Sequence, residues 1–341
     1  METMWRHPLE ISVFPQKNSS RITKLAETDV VANMANLIAV EHLYRYYGKH
    51  CAVNDVSFTL AKGEVLGFLG PNGAGKTTTM QMLCGNLAPS SGQIKINGFD
   101  LLDQPNKAKC SLGYLPDTPP LYKELSVQEF LHYCAQLHGV AKNSIAHAIN
   151  NAKERCGLAE VSHRLIANLS KGFQQRVGIA QAILHNPEVI ILDEPTVGLD
   201  PIQIREIRTL IRELGQDHGV ILSTHILSEV QESCSHVQII HQGQLILSKS
   251  IAGLNQSMNT GILQVTTRLI PDTTVLLAIP GVISIENIRQ NQIRIHHRIT
   301  DNPGKQIAET IIAAGWELQE LTPVKRSMED IFIALTQTSE S

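Results

Sequence analysis

The chain has 341 residues, 43% of them hydrophobic and 18% charged, with 29 basic and 32 acidic side chains and a formal net charge of −3. That length suggests two or three domains with a sizeable core, and the near-neutral balance without runs of like charge argues against a surface that holds nucleic acid or anionic lipid by bulk electrostatics. The six cysteines, Cys51, Cys84, Cys110, Cys134, Cys156 and Cys234, include no C-x-x-C pair, so neither a zinc site nor a disulfide framework is expected and a reducing cytoplasm is the plain setting.

In chain order, residues 1–35 lack the apolar stretch of a secretory signal and carry acids that a transit peptide avoids, so they read as a weakly ordered extension in which Met34 is a second candidate start. No segment reaches the roughly 18 consecutive apolar residues of a membrane span; the best run, "TVLLAIPGVISI" at 274–285, is interrupted by Pro280. From residue 36, "LIAVEHLYRYYG" and "CAVNDVSFTLAKGEVLGFLG" alternate in strand fashion and end in the apolar run Val65–Leu69, the pattern of a strand buried on both faces. Strands are also predicted at 188–193 and 219–224, with amphipathic helices such as "SVQEFLHYCAQLHG" and "PIQIREIRTLIRELGQDHG" between them. Alternating strands and helices imply an α/β fold.

The strand ending at Leu69 runs into "GPNGAGKTT", Gly70, Pro71, Asn72, Gly73, Ala74, Gly75, Lys76, Thr77 and Thr78, which fits G-x-x-x-x-G-K-[ST]. Such a loop aims successive backbone N–H groups and a helix dipole at the phosphates of a nucleotide, its lysine neutralises β and γ oxygens, and its hydroxyl ligates Mg²⁺. A second apolar strand, "VIILDEP" at 189–195, delivers Asp193 and Glu194 to its carboxyl end, the edge at which parallel sheets bind ligands. Asp193 is placed to hold Mg²⁺ through water, and Glu194, outside the metal's coordination, to act as general base toward an attacking water.

With these motifs in hand, residues 37–246 resemble the nucleotide-binding subunit of an ATP-binding cassette transporter, of the exporter-type subfamily that includes multidrug and gliding-motility subunits. The resemblance implies that Tyr47, just before Gly48, stacks on adenine; that "TVGLD" (196–200) is the D-loop; that His225 of "STH" senses the γ-phosphate; and that "LSKGFQQR" (169–176) is the signature motif. It implies ATP and Mg²⁺ as cofactors. Ser170 and Gly172 then contact the γ-phosphate of ATP bound to a second copy, so that two nucleotides are sandwiched in a homodimer or pseudo-dimer. Two departures stand out: Lys171 and Phe173 replace the glycine and glutamine of the usual Leu-Ser-Gly-Gly-Gln, and Asp117 in "GYLPD" replaces the usual glutamine. A carboxylate lacks the amide's donors, though it still reaches Mg²⁺ through water.

The expected organisation is an extension (1–35), a P-loop ATPase domain (36–247) with an antiparallel β subdomain and a helical subdomain at about 118–186, a linker (248–261), and a C-terminal α+β domain (262–341) of βαββαβ order with a final helix at 327–335. In "TPPLYKELSVQEFL" two prolines stiffen a loop that presents Leu121 and Tyr122, either as a tight connection with Leu121 tucked inward or, as the resemblance implies, as a surface offered to an integral-membrane permease. The chain would then lie on the cytoplasmic face of the membrane, held there by the permease. The alternative is a soluble cassette ATPase without a transport partner; a guanine-specific N-K-x-D is absent.

Overall fold

The computed structural model describes residues 36–332 apart from Met258, Ile299 and Arg326; the expected extension at 1–35 and the end of the expected last helix lie outside them. The molecule is built on three sheets. In the first, β1 (Asn36–Tyr47) and β2 (His50–Ala61) form a hairpin that continues through β4 (Ser91–Ile96) and β5 (Phe99–Asp100), all antiparallel, in the order β2-β1-β4-β5.

The second sheet joins β3 (Val65–Leu69), β6 (Leu112–Leu115), β7 (Val189–Asp193), β8 (Gly219–Thr224), β9 (His236–His241) and β10 (Gln244–Ser250) in the order β10-β9-β3-β8-β7-β6. Its neighbours are parallel except β10, which is antiparallel to β9. Every residue of β3, β7 and β8 is buried, because the two faces are covered by different layers. Side chains alternate between them with the two-residue period of a strand. Leu66, Phe68, Ile191 and Ile221 pack toward the first sheet and helix α1 (Lys76–Leu83), whereas Val65, Ile190, Leu192, Val220 and Leu222 pack toward helices α5 (Lys171–Ile183) and α6 (Pro201–Asp217).

Between β5 and β7 the chain forms α2 (Pro105–Cys110), α3 (Val127–Leu137), α4 (Ile145–Arg155) and then α5. Ser126 and Glu129 close a reciprocal capping box at the start of α3, and Ser170 caps α5 by accepting from the Phe173 N–H. Asp200 caps α6, with Pro201 at its first position, where a proline's missing N–H costs nothing. The short α7 (Leu227–Ser233) follows β8.

Residues 248–261, expected as a linker, are taken up by the end of β10, helix α8 (Ile251–Ser257) and the start of β11 (Asn259–Thr267). Leu254, 2% exposed, anchors that helix in a cluster with Leu69, Val230, Val237 and Ile239. The third sheet comprises β11, β12 (Val282–Arg289), β13 (Gln292–His297) and β14 (Leu318–Lys325) in the order β12-β13-β11-β14, all antiparallel, with α9 (Thr273–Leu277) and α10 (Gly304–Ala313) as crossovers. This is the βαββαβ arrangement of a ferredoxin-like unit, with its own core of Leu263, Val265, Leu276, Ile293, Ile295, Ile307 and Ile311. Helical residues 328–332 return to the Leu254 cluster, where Met328 is 1% exposed.

Candidate functional site

Gly70 to Gly75 connect β3 to α1, and the loop's tightness is written in its glycines. Gly75 has φ 107°, and a β-carbon there would stand 2.5 Å from the Ala52 carbonyl oxygen of β2, so only glycine lets hairpin and loop approach this closely. Lys76, 6% exposed, turns back over it and donates to the carbonyls of Gly70 (2.8 Å) and Pro71 (3.3 Å). Burial lowers the Lys76 ammonium below its ordinary range, opposed by the carboxylates of Glu194 and Asp193. Asn72, Gly73 and Thr77 are exposed, Ala74 is buried and Thr78 is half-buried.

β8 lies between β3 and β7, so the residues at the carboxyl ends of all three strands converge. Glu194 Oε1 is 3.7 Å from Lys76 Nζ, and both Glu194 oxygens are 3.0 Å from His225 Nδ1. Glu194 has φ 49°, a left-handed backbone uncommon for a residue with a side chain and concentrated at functional sites. Its N–H donates to the Ser223 carbonyl across the sheet at 2.8 Å.

Asp193 is 1% exposed and neither carboxylate oxygen has a hydrogen-bond partner. Burial pushes this carboxyl above the usual range; the Ser223 and Thr77 hydroxyls pull it down, while Glu194 and Asp117 push it further up. The Ser223 and Thr77 hydroxyls lie near but neither makes a hydrogen bond of good geometry to it, and a buried carboxylate so poorly answered is costly unless something cationic meets it. With the Thr77 hydroxyl nearby, the donor set is all hard oxygen and fits a hydrated Mg²⁺ completed by phosphate oxygens.

The other expected residues are placed more loosely. Tyr47 is 46% exposed, with the Arg45 guanidinium 4.8 Å from its ring centroid. Asp117 is exposed, near enough for its charge to be felt at Asp193. Ser170 and Gly172 make no hydrogen bond to their own phosphate loop among the described residues; Gly172 is buried, a β-carbon on it would stand 2.5 Å from Gln203 Cδ of α6, and the Lys171 ammonium lies over Gly198. Leu121 is half-buried against the core of the helical subdomain, so of the proline-stiffened pair only Tyr122, 51% exposed, is offered outward. Its ring is edge-on to Phe130 and to the exposed Tyr133. Sequence reasoning missed Glu229, Gln203 and Tyr133, none of which falls in a spacing that singles it out, and it read Thr196 only as the first residue of the D-loop.

A phosphate loop flanked by acid-tipped and histidine-tipped parallel strands defines a P-loop nucleoside triphosphatase. The family model described as ABC transporter matches residues 53–197, and that described as ATP-binding protein DrrA1-3-like, C-terminal domain, matches residues 250–336. The bacitracin transport ATP-binding protein BcrA of Bacillus licheniformis is 40% identical over 215 residues, 62% of this chain and 69% of BcrA. The linearmycin resistance ATP-binding protein LnrL of Bacillus subtilis (strain 168) is 29% identical over 306 residues, 88% of this chain and 98% of LnrL. Among solved structures, cbiO1 of Clostridium perfringens, part of the ABC transporter complex cbiONQ, superposes with a TM-score of 0.60 at 30% identity, covering 64% of this chain and 90% of cbiO1. The chain therefore belongs to the ATP-binding subunits of ABC transporters, of the exporter-type subfamily, and is an ATPase by family.

Proposed function

We propose that this chain powers a separate integral-membrane permease, an exporter, by closing as an ATP-bound dimer, and that ATP hydrolysis within the closed dimer reopens it. The observation that carries the reading is the convergence of Lys76, Glu194 and His225 beside the unpartnered Asp193 carboxylate. Lys76 leaves its own loop carbonyls for the β and γ oxygens of ATP, while the loop's backbone N–H groups from Asn72 to Thr78 surround the phosphates. Thr77 directly, and Asp193 and Asp117 through water, would hold Mg²⁺, which would neutralise charge on the phosphates. Glu194 accepts the proton of the attacking water, and His225, 3.0 Å away, orients that carboxylate and meets the γ-phosphate.

Tyr47 supplies an aromatic face for adenine. Ser170, exposed at the start of α5, and the backbone N–H of the buried Gly172 beside it would meet the γ-phosphate of a second copy, with the α5 dipole behind them. Among the described residues no helix is long and apolar enough to cross a membrane, and BcrA, LnrL and cbiO1 are each named for transport, resistance or a transporter complex. Both support a partner that supplies the membrane path, with this chain peripheral on the cytoplasmic face. The test is capture of the tagged full chain from detergent-solubilised native membranes. A polytopic membrane protein in fixed stoichiometry is expected; full recovery from the soluble fraction, alone and active, points to the non-transport ATPase instead.

A further inference from the structure

Among the described residues only two carboxylates are buried, Asp193 and Glu229, each 1% exposed. They are used in opposite ways. The Asp193 oxygens make no hydrogen bond of good geometry, whereas both Glu229 oxygens are engaged inside the protein. Glu229 Oε1 accepts from the Thr196 hydroxyl and Oε2 from the Thr224 hydroxyl at 2.7 Å. Thr196 and Thr224 are 2% and 0% exposed, so these bonds are screened from water and neither hydroxyl finds a replacement if Glu229 is removed.

The two threonines are the immediate supports of the site. Thr196 follows Glu194 and Pro195, and Thr224 precedes His225. Since His225 Nδ1 lies 3.0 Å from both Glu194 oxygens, a closed circuit runs from Glu194 through Thr196, Glu229 and Thr224 to His225 and back. Thr224 Oγ1 also accepts from the Ile226 N–H at 3.1 Å, which ties the start of α7 into the same circuit. Glu194 sits at φ 49°, a conformation that persists only where the surroundings impose it. Its N–H is fixed by the Ser223 carbonyl at 2.8 Å; on the other side the chain passes through Pro195, whose φ is fixed, to Thr196, which Glu229 holds.

We infer that Glu229 is a positioning residue for ATP hydrolysis: it clamps the turn after β7 to the end of β8 so that the Glu194 carboxylate and the His225 imidazole stay paired and face the γ-phosphate. The inference rests on the roles assigned above to Glu194 and His225. Glutamine at this position keeps the connection, accepting from one hydroxyl and donating to the other, whereas alanine breaks it.

The test uses the full chain, with MgATP affinity by calorimetry and turnover by phosphate release. Glu229→Ala lowers kcat at least tenfold while MgATP affinity changes less than threefold; Glu229→Gln recovers most of kcat. In the double variant Glu229→Ala/His225→Ala the losses do not multiply, because Glu229 acts through the Glu194–His225 pair. If Glu229→Ala does not fold, Thr196→Val carries the same contrast, with kcat down at least threefold and affinity retained. Wild-type kcat in these variants, loss of affinity in step with kcat, or multiplicative losses overturn the inference while the ATPase reading stands. A wild-type chain that binds MgATP without hydrolysing it overturns both.

Discussion

Glu194 and His225, 31 positions apart in sequence, meet with both carboxylate oxygens 3.0 Å from one imidazole nitrogen. Lys76 Nζ is 3.7 Å from the same carboxylate, so three groups of the proposed site stand together while Lys76 remains bonded to its own loop. On the proposed reading, the charge that binds phosphate is thus held beside the base. Lys76→Ala removes a charge-assisted contact of about 1.5 to 3 kcal/mol. Turnover measured by phosphate release is expected to vanish and MgATP affinity to fall at least tenfold; unchanged activity removes the phosphate-loop role from Lys76.

Tyr122 is 51% exposed and packs edge-on to Tyr133, itself 39% exposed, an aromatic pair at the surface of the helical subdomain. Tyr122→Asp leaves basal ATPase activity of the isolated chain within about twofold, because surface substitutions away from a site seldom cost more than about 0.5 kcal/mol, and lowers transport in vesicles that contain the permease. Leu121→Asp behaves differently. Leu121 packs against buried residues of the helical core, so a carboxylate there lowers the unfolding midpoint. Equal transport by Tyr122→Asp and wild type excludes Tyr122 from the interface.

Burial and the stacked His138 ring, 4.1 Å away centroid to centroid, push His185 down to about 4, against a pull from the Leu112 carbonyl. Burial also lowers His138 and His218. Each of these imidazoles holds its proton less readily in the fold than in the unfolded chain, where the usual pKa is about 6.5. The unfolded state therefore binds more protons below that pH, and the stability they contribute, fully present above pH of about 6.5, is lost as pH falls toward 4. Urea midpoints are expected to drop between pH 7.5 and 5, with a contribution from His185 of at most about 1.4 kcal/mol per pH unit. His185→Gln should flatten the dependence; an identical slope in that variant assigns it to other groups.

What was legible in the sequence follows from how local its cause is. The buried strands β3, β7 and β8 show as continuous apolar runs, and the phosphate loop shows because its glycines, lysine and threonine sit within nine residues, Gly70 to Thr78. Chain direction then delivers Asp193, Glu194 and His225 to one sheet edge. The left-handed φ of Glu194 was not legible, since it depends on Ser223 across the sheet and on Pro195 and Thr196 beyond. Neither was Glu229, whose "LSEVQES" surroundings read as an ordinary amphipathic helix. The polar residues of 248–261 suggested a linker because the burial of Leu254 comes from residues as far away as Leu69 and Met328. Leu121 and Tyr122 look alike in sequence; only packing distinguishes the inward side chain from the outward one.

The central claim is closure of a dimer in which the phosphate loop of one copy and the signature helix of the other share an ATP. It is tested most directly by Glu194→Gln at saturating MgATP, measured by size-exclusion chromatography with light scattering. The amide keeps the shape and loses the base, so ATP is retained and the chain is expected to run as a dimer. Adding Ser170→Arg, which sets a bulky cation at the helix end that meets the second copy's phosphate, should return it to monomer with MgATP still bound. Glu194→Gln chains that bind MgATP and stay monomeric, or a dimer that Ser170→Arg leaves intact, would contradict the account.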